Sequence, residues 1–262
     1  MAVTPDGLHA YVTNSGDNTL SVIDTATATI VATIPVGTGP FGVAVSPDGL
    51  HAYVTNSGDN TLSVIDTATN TIVATIPVGA APTGVAVSPD GLHAYVTDNG
   101  DNTVSVIDTA TNTVTTTITV GTAPTSVAVS PDGLHAYVTD NGDNALSVID
   151  TATNTIVATI TVGTGPFDVA VTPDGLHAYV TNNGDNTVSI TDTVPFTSAT
   201  TLASAPDPSV FGQAKVLTAT VTSVDGIPTG TVSFFDGATL LGTGTVAAGV
   251  ATFTTTDLAV GT

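Results

Sequence analysis

Val43-Ala44-Val45-Ser46-Pro47-Asp48-Gly49-Leu50-His51-Ala52-Tyr53-Val54-Thr55-Asn56-Ser57-Gly58-Asp59-Asn60 is followed by Thr61-Leu62-Ser63-Val64-Ile65-Asp66 and by Thr71-Ile72-Val73-Ala74-Thr75-Ile76-Pro77-Val78. Four short runs rich in β-branched residues are separated by turn chemistry. In Pro47-Asp48-Gly49, proline presets φ and glycine accepts a positive one. Asn56 to Asn60 and Thr67 to Asn70 are two further turn clusters. No run is long enough for a helix, so the stretch predicts one antiparallel sheet of strands a to d. Pro77 predicts an outer edge for strand d, because an interior strand would miss its donor.

The stretch recurs at a period of 42 residues, with Pro-Asp-Gly starting at Pro5, Pro47, Pro89, Pro131 and Pro173. All five histidines occupy one repeat position and all five tyrosines another. Each sheet is apolar on both faces (Val64 and Ile65; Ile72 and Val73), so both faces need cover. Identical neighbours supply that cover when they stack radially around an axis. The fifth copy loses strand d, since the text changes after Ile190-Thr191-Asp192. The expectation is an all-β chain with a β-propeller of five four-stranded blades, the last incomplete. It would be a fragment of a larger ring, or a small strained one.

Tyr11-Val12-Thr13-Asn14, Tyr53-Val54-Thr55-Asn56 and Tyr179-Val180-Thr181-Asn182 resemble the signature of the YVTN β-propeller repeat family of surface-layer-type proteins. Blades three and four depart by one residue, with Asp98 and Asp140 in place of asparagine. The resemblance covers residues 1–192 and implies a ring of about seven blades. It also implies an alternative function, since similar propellers include lactonase-like and redox-associated members.

After 193–197, which reads as a linker, the period is gone. Thr200 to Ser204, Lys215 to Val221, Gly230 to Gly237, Ala238 to Gly242 and Gly249 to Thr254 read as strands of a sandwich. Residues 198–262 resemble a bacterial Ig-like repeat domain, carried by Ser209 to Gln213, Pro228 to Phe234 and Leu258 to Thr262. The last hairpin of the sandwich is expected to be missing, leaving a truncated domain.

Composition narrows the function. The chain of 262 residues has 22 acidic side chains, all Asp, one cation besides histidine (Lys215) and a net charge of −21. Such a chain cannot neutralise phosphates, which argues against nucleic acid and anionic membranes as partners. There is no cysteine, hence no disulfide framework and no thiolate metal site. No apolar run approaches the ~18 residues of a spanning helix, so no membrane insertion is expected. Met1 sits inside a repeat without a basic leader, so the chain is expected to begin partway through a longer protein.

The copied residues read as scaffold. Ser46, Asp48 and His51 mimic a nucleophilic triad. All five blades carry the set, however, so serine or threonine and aspartate are expected to brace the turn while histidine opens strand b. Asp24 and its copies are expected to accept from backbone N–H groups two residues on. Ser-Gly or Asn-Gly accounts for the b–c loops as hairpin turns. Calcium is the alternative, and it falls on the doubled-Asp loops at Asp98, Asp101, Asp140 and Asp143. Function is sought where copies differ. Phe41, Phe167 and Asp168 stand at the entry to the innermost strand and form the candidate ligand site. The reading is a non-enzymatic, extracellular or cell-surface module. Its propeller would be a platform for protein or glycan, its Ig-like unit a spacer. No cofactor is expected, calcium being the one candidate.

Overall fold

A computed structural model describes residues 1–193, 198–207, 210, 212–223 and 230–256. The chain divides into two compact units, Met1–Val194 and Pro195–Thr262. Of the stretch read as a linker, residues 194–197 lie outside the described residues.

The first unit is five consecutive antiparallel sheets. Blade one is β1 (Ala2–Val3), β2 (His9–Asn14), β3 (Thr19–Asp24) and β4 (Thr29–Pro35). Blade two is β5 (Pro40–Val45), β6 (His51–Asn56), β7 (Thr61–Asp66) and β8 (Thr71–Pro77). Blade three is β9 (Pro82–Val87), β10 (His93–Asp98), β11 (Thr103–Asp108) and β12 (Thr113–Thr119). Blade four is β13 (Pro124–Val129), β14 (His135–Asp140), β15 (Ala145–Asp150) and β16 (Thr155–Thr161). Blade five is β17 (Pro166–Val171), β18 (His177–Asn182) and β19 (Thr187–Asp192), with three strands as its sequence predicts.

Radial stacking follows from the period-2 alternation of the strands. Tyr11, Leu20, Val22 and Ile34 of blade one meet Val43, Ala52, Val54 and Ile65 of blade two in one buried cluster. The same positions meet at the later junctions. Strands a lie side by side at the axis. Strand d is the rim, and Pro35 and Pro77 end it where no further strand needs the N–H donor that proline lacks.

Full cover of both faces, expected from the sequence, fails on strand d. Ile30, Val31 and Val73 are more than half exposed, and only Ile34, Ile76 and Ile118 of these strands are buried. Radial sheets diverge outward, so rim strands of adjacent blades separate beyond contact. A one-residue bulge opposite Val22 and Ile23, and its copies, turns strand d further.

Two turn readings are also refined. In the b–c loop the left-handed residue is Asn60 (φ 57°), not the glycine. Gly58 is needed for closeness, since a Cβ there would meet Thr38 Cγ2 at 3.0 Å. Asp24 Oδ1 accepts chiefly from the backbone of Thr27 at 2.7 Å, three residues on, with a weaker contribution from the Ala26 amide two residues on.

The second unit is all β: β20 (Ser198–Ala205), β21 (Lys215–Ser223), β22 (Thr231–Asp236), β23 (Thr239–Thr245) and β24 (Val250–Thr255). The sheet β20-β21-β24 and the ribbon β22-β23 enclose Leu217, Ala219, Val221, Phe234, Val246 and Ala251. Phe234 stacks on Phe253 with centroids 5.8 Å apart. Lys215 Nζ lies 3.8 Å from Asp207 Oδ1. Ser209, Phe211, Pro228, Thr229 and Leu258 to Thr262 lie outside the described residues. No helix among the described residues is long and apolar enough to cross a membrane.

Candidate functional site

The Ser-Asp-His set is turn bracing. Ser46 Oγ donates to Asp48 Oδ1 at 2.5 Å and accepts from the His51 backbone at 3.0 Å. Asp48 Oδ1 also accepts from the Leu50 backbone at 2.9 Å. These bonds use the main chain of His51, so its imidazole has no part in the brace. The donors hold the Asp48 carboxyl below the usual range, the Ser46 hydroxyl first and the Leu50 amide next.

The b–c loops and the d–a connections share one face of the blades, as topology requires. Asp59 Oδ2 accepts from the Thr38 amide at 2.6 Å and Asn18 Oδ1 from the Gly39 amide at 2.9 Å. In the doubled-Asp loops, Asp101 and Asp143 take this outer place, accepting from Ala80 and Thr122. Asp98 and Asp140 are fully buried instead. Asp98 Oδ2 accepts from Thr103 and Ser105, and Asp140 Oδ2 from Ser147 at 2.6 Å. Blades with asparagine reverse this polarity: Asn56 Nδ2 donates to Thr61 and Ser63. Burial raises the Asp98 carboxyl, and pushes Asp140 up to about 6 with a minor contribution from Asp143. Among the described residues no three His, Cys, Asp or Glu side chains gather as a metal cluster.

Phe41, Phe167 and Asp168 do come together. They line one opening of about 270 Å³ with Gly42, Gly84 and Ser126 at the inner ends of strands a. Phe41 of blade two and Phe167 of blade five meet edge to face across it, with centroids 6.4 Å apart. Both rings are roughly half exposed. Asp168 Oδ1 accepts from Ser126 Oγ at 2.6 Å. Ser126 is the contributor that sequence reading missed. Its signal was present, because Gly42, Gly84, Ser126 and Asp168 are one repeat position that departs from glycine in two blades. The arrangement offers two aromatic faces and one carboxylate, which suits stacking and hydrogen bonding at a mouth.

Fold and site together define a propeller followed by an Ig-like domain. Residues 2–91 match the family model described as YNCE-like beta-propeller, and residues 200–262 match the Bacterial Ig-like domain (group 3). The PE-PGRS family protein PE_PGRS18 of Mycobacterium tuberculosis is 54% identical over 44 residues, 17% of this chain and 9% of that protein. Among solved structures, Kuenenia stuttgartiensis Hydrazine Synthase is similar with a TM-score of 0.66 and 25% identity, covering 85% of this chain and 62% of that one. A functionally unknown protein from Desulfotomaculum acetoxidans DSM 771 has a TM-score of 0.62 at 22% identity, covering 72% of this chain and 67% of that one. The chain thus spans a small part of its curated relative and under two thirds of hydrazine synthase.

Proposed function

We propose that this chain is a non-enzymatic interaction module whose propeller mouth contacts protein or glycan and whose Ig-like unit is a spacer. An extracellular or cell-surface setting fits the bacterial Ig-like match and the acidic, cation-poor composition. One observation carries the reading: the repeat positions that vary, Phe41, Phe167, Ser126 and Asp168, gather at a single opening. Aromatic faces beside a carboxylate are the chemistry of sugar and side-chain recognition. The test is binding of the full chain to cell-surface polysaccharide and protein fractions, with Phe41→Ala/Phe167→Ala as comparison. Loss of binding in the double variant supports the site. Equal binding, or none by the native chain, overturns it.

A second reading follows from the likeness to hydrazine synthase, an enzyme by its name. It would make the chain a catalytic or redox-associated subunit with its site at the same opening. Asp168 is the acidic side chain there, and it is engaged by Ser126. Turnover of a lactone by the full chain, abolished in Asp168→Ala, would establish this reading against the first.

A further inference from the structure

Blade five ends inside the chain with a face and an edge that four other junctions show how to fill. At each of those junctions one blade's Tyr, Leu or Val, and Val are sealed by the next blade: Tyr11, Leu20 and Val22 are at most 1% exposed. The equivalents in blade five, Tyr179, Val188 and Ile190, are 43%, 56% and 60% exposed. The outer edges of β3, β7, β11 and β15 are paired with a strand d, whereas β19 is the last strand of its sheet. Among the described residues no strand pairs with its outer edge, which leaves that edge open to a further strand.

The polar contacts of a junction are equally regular. A strand-b threonine donates to the carbonyl of the incoming strand: Thr13 to Phe41 at 2.9 Å and Thr55 to Thr83 at 2.7 Å. A loop asparagine donates to the carbonyl of its leading proline: Asn99 to Pro124 and Asn141 to Pro166. The last loop asparagine accepts from the connection: Asn60 from Ala81 and Asn144 from Gly165, both at 2.9 Å. In blade five these roles fall to Thr181, Asn183 and Asn186. Together with Phe167, Asn182, Thr187 and Val188 they line a cavity of about 350 Å³. No described residue supplies the missing carbonyls or amide.

We infer that the open end of blade five, comprising the β19 edge and the Thr181–Asn183–Asn186 cavity, binds a strand–connection–strand segment of this same repeat donated by another polypeptide. Continuity with the established junctions fixes the occupant. At every interior junction one continuous stretch does both jobs. Residues 29–45 pair with β3 as strand d, bridge to the next blade, and enter as its strand a. The binding mode is addition of a strand to a free edge, with side-chain pockets setting the register. That stretch has no charged residue, so it meets no repulsion from a chain of net charge −21.

The probe is a fluorescent synthetic peptide of residues 29–45, titrated into the full chain. Saturable binding is expected, with slower amide exchange across Thr187–Asp192. Val188→Asp and Ile190→Asp should each weaken it at least ~10-fold, and both chains should fold, since the replaced side chains are largely exposed. A peptide with Ile34→Asp should bind as weakly. Absence of saturable binding overturns the inference, as does binding indifferent to these substitutions. Amide exchange on the unliganded chain covers a peptide that aggregates. Fast exchange across Thr187–Asp192 supports an open edge. Slow exchange independent of concentration means that the chain covers this edge itself, which overturns the inference.

Discussion

The Ser126 hydroxyl donates to the Asp168 carboxylate at 2.6 Å, joining blades four and five at the position where blades two and three carry Gly42 and Gly84. The position is tight on one side of the axis and open on the other. A Cβ on Gly84 would lie 2.8 Å from Ser126 Cα and 2.9 Å from the Thr125 carbonyl, both backbone atoms. At Asp168 the side chain reaches the mouth and solvent.

The same repeat position should therefore separate stability from binding. Gly84→Ala should cost about 1–3 kcal/mol, because overpacking against backbone has no soft partner to yield. Asp168→Ala should change stability by less than about 1 kcal/mol, since the side chain is exposed, the bonds it loses from Ser126 and the Val169 amide lie at the mouth, and a carboxylate leaves an acidic surface. Thermal unfolding of the two variants checks the contrast. A large loss in Asp168→Ala would make that residue scaffold and weaken its place in the ligand site.

Asp140 should destabilise the fold at neutral pH. Its folded value of about 6 exceeds the ordinary 3.8, because burial penalises the charged form. Stability is thus full below the ordinary value and lost as pH rises through about 6, by roughly 3 kcal/mol. Asp140→Asn should raise the unfolding midpoint near pH 7.5, with the gain gone near pH 3.5. Asparagine fits this place, as Asn182 shows by donating to Ser189. An equal midpoint at both pH values would count against a buried charge.

The turn carboxylates pull the other way. Asp48 and Asp90 are held below the ordinary value, first by the Ser46 and Ser88 hydroxyls. Their contribution is present above 3.8 and lost as pH falls below it. With Asp98 and Asp140 raised, stability should peak near pH 4 and fall as pH rises through about 6. Ser46→Ala should cost about 1–2 kcal/mol, because the hydroxyl is buried and bonded to the Asp48 carboxylate and to both the amide and the carbonyl of His51. It should also flatten the acid limb. A midpoint that rises steadily from pH 3 to pH 8 would contradict the raised pair, and one that falls steadily over that range would contradict the turn carboxylates.

Salt should stabilise the chain. With a net charge of −21 and Lys215 in the second unit, the propeller carboxylates face no Lys or Arg of their own unit. Screening relieves their repulsion, so the first unit's midpoint should rise between 20 mM and 1 M sodium chloride. Calcium at matched ionic strength should add nothing further. Asp101 and Asp143 already accept backbone amides, and Asp98 and Asp140 accept hydroxyls. A calcium-specific rise lost in Asp140→Asn/Asp143→Asn would reverse this expectation.

The candidate site was partly legible. Phe41, Phe167 and Asp168 stand out as departures between copies, and strand order alone places their position at the axis. That Phe41 reaches Phe167 three blades away was not legible, because it depends on the angle between neighbouring blades. The burial of Asp98 and Asp140 was missed for a related reason. Their loop looks like solvent-facing turn chemistry, yet strand-b side chains alternate and this one points inward at Ser105 or Ser147.

The amino-acid sequence by itself determined the repeat unit: a period of 42 residues, four strands with their turns, a fifth copy without strand d, and a second β unit of different pattern. These follow from local chemistry, where β-branched runs, proline and glycine act on their nearest neighbours. The tertiary structure decided which apolar faces are sealed. Strand d is bare at the rim because radial sheets diverge, and Tyr179, Val188 and Ile190 are bare because no blade follows them. Burial is a property of what stands opposite a side chain, and five near-identical strings place nothing opposite until they are packed around an axis.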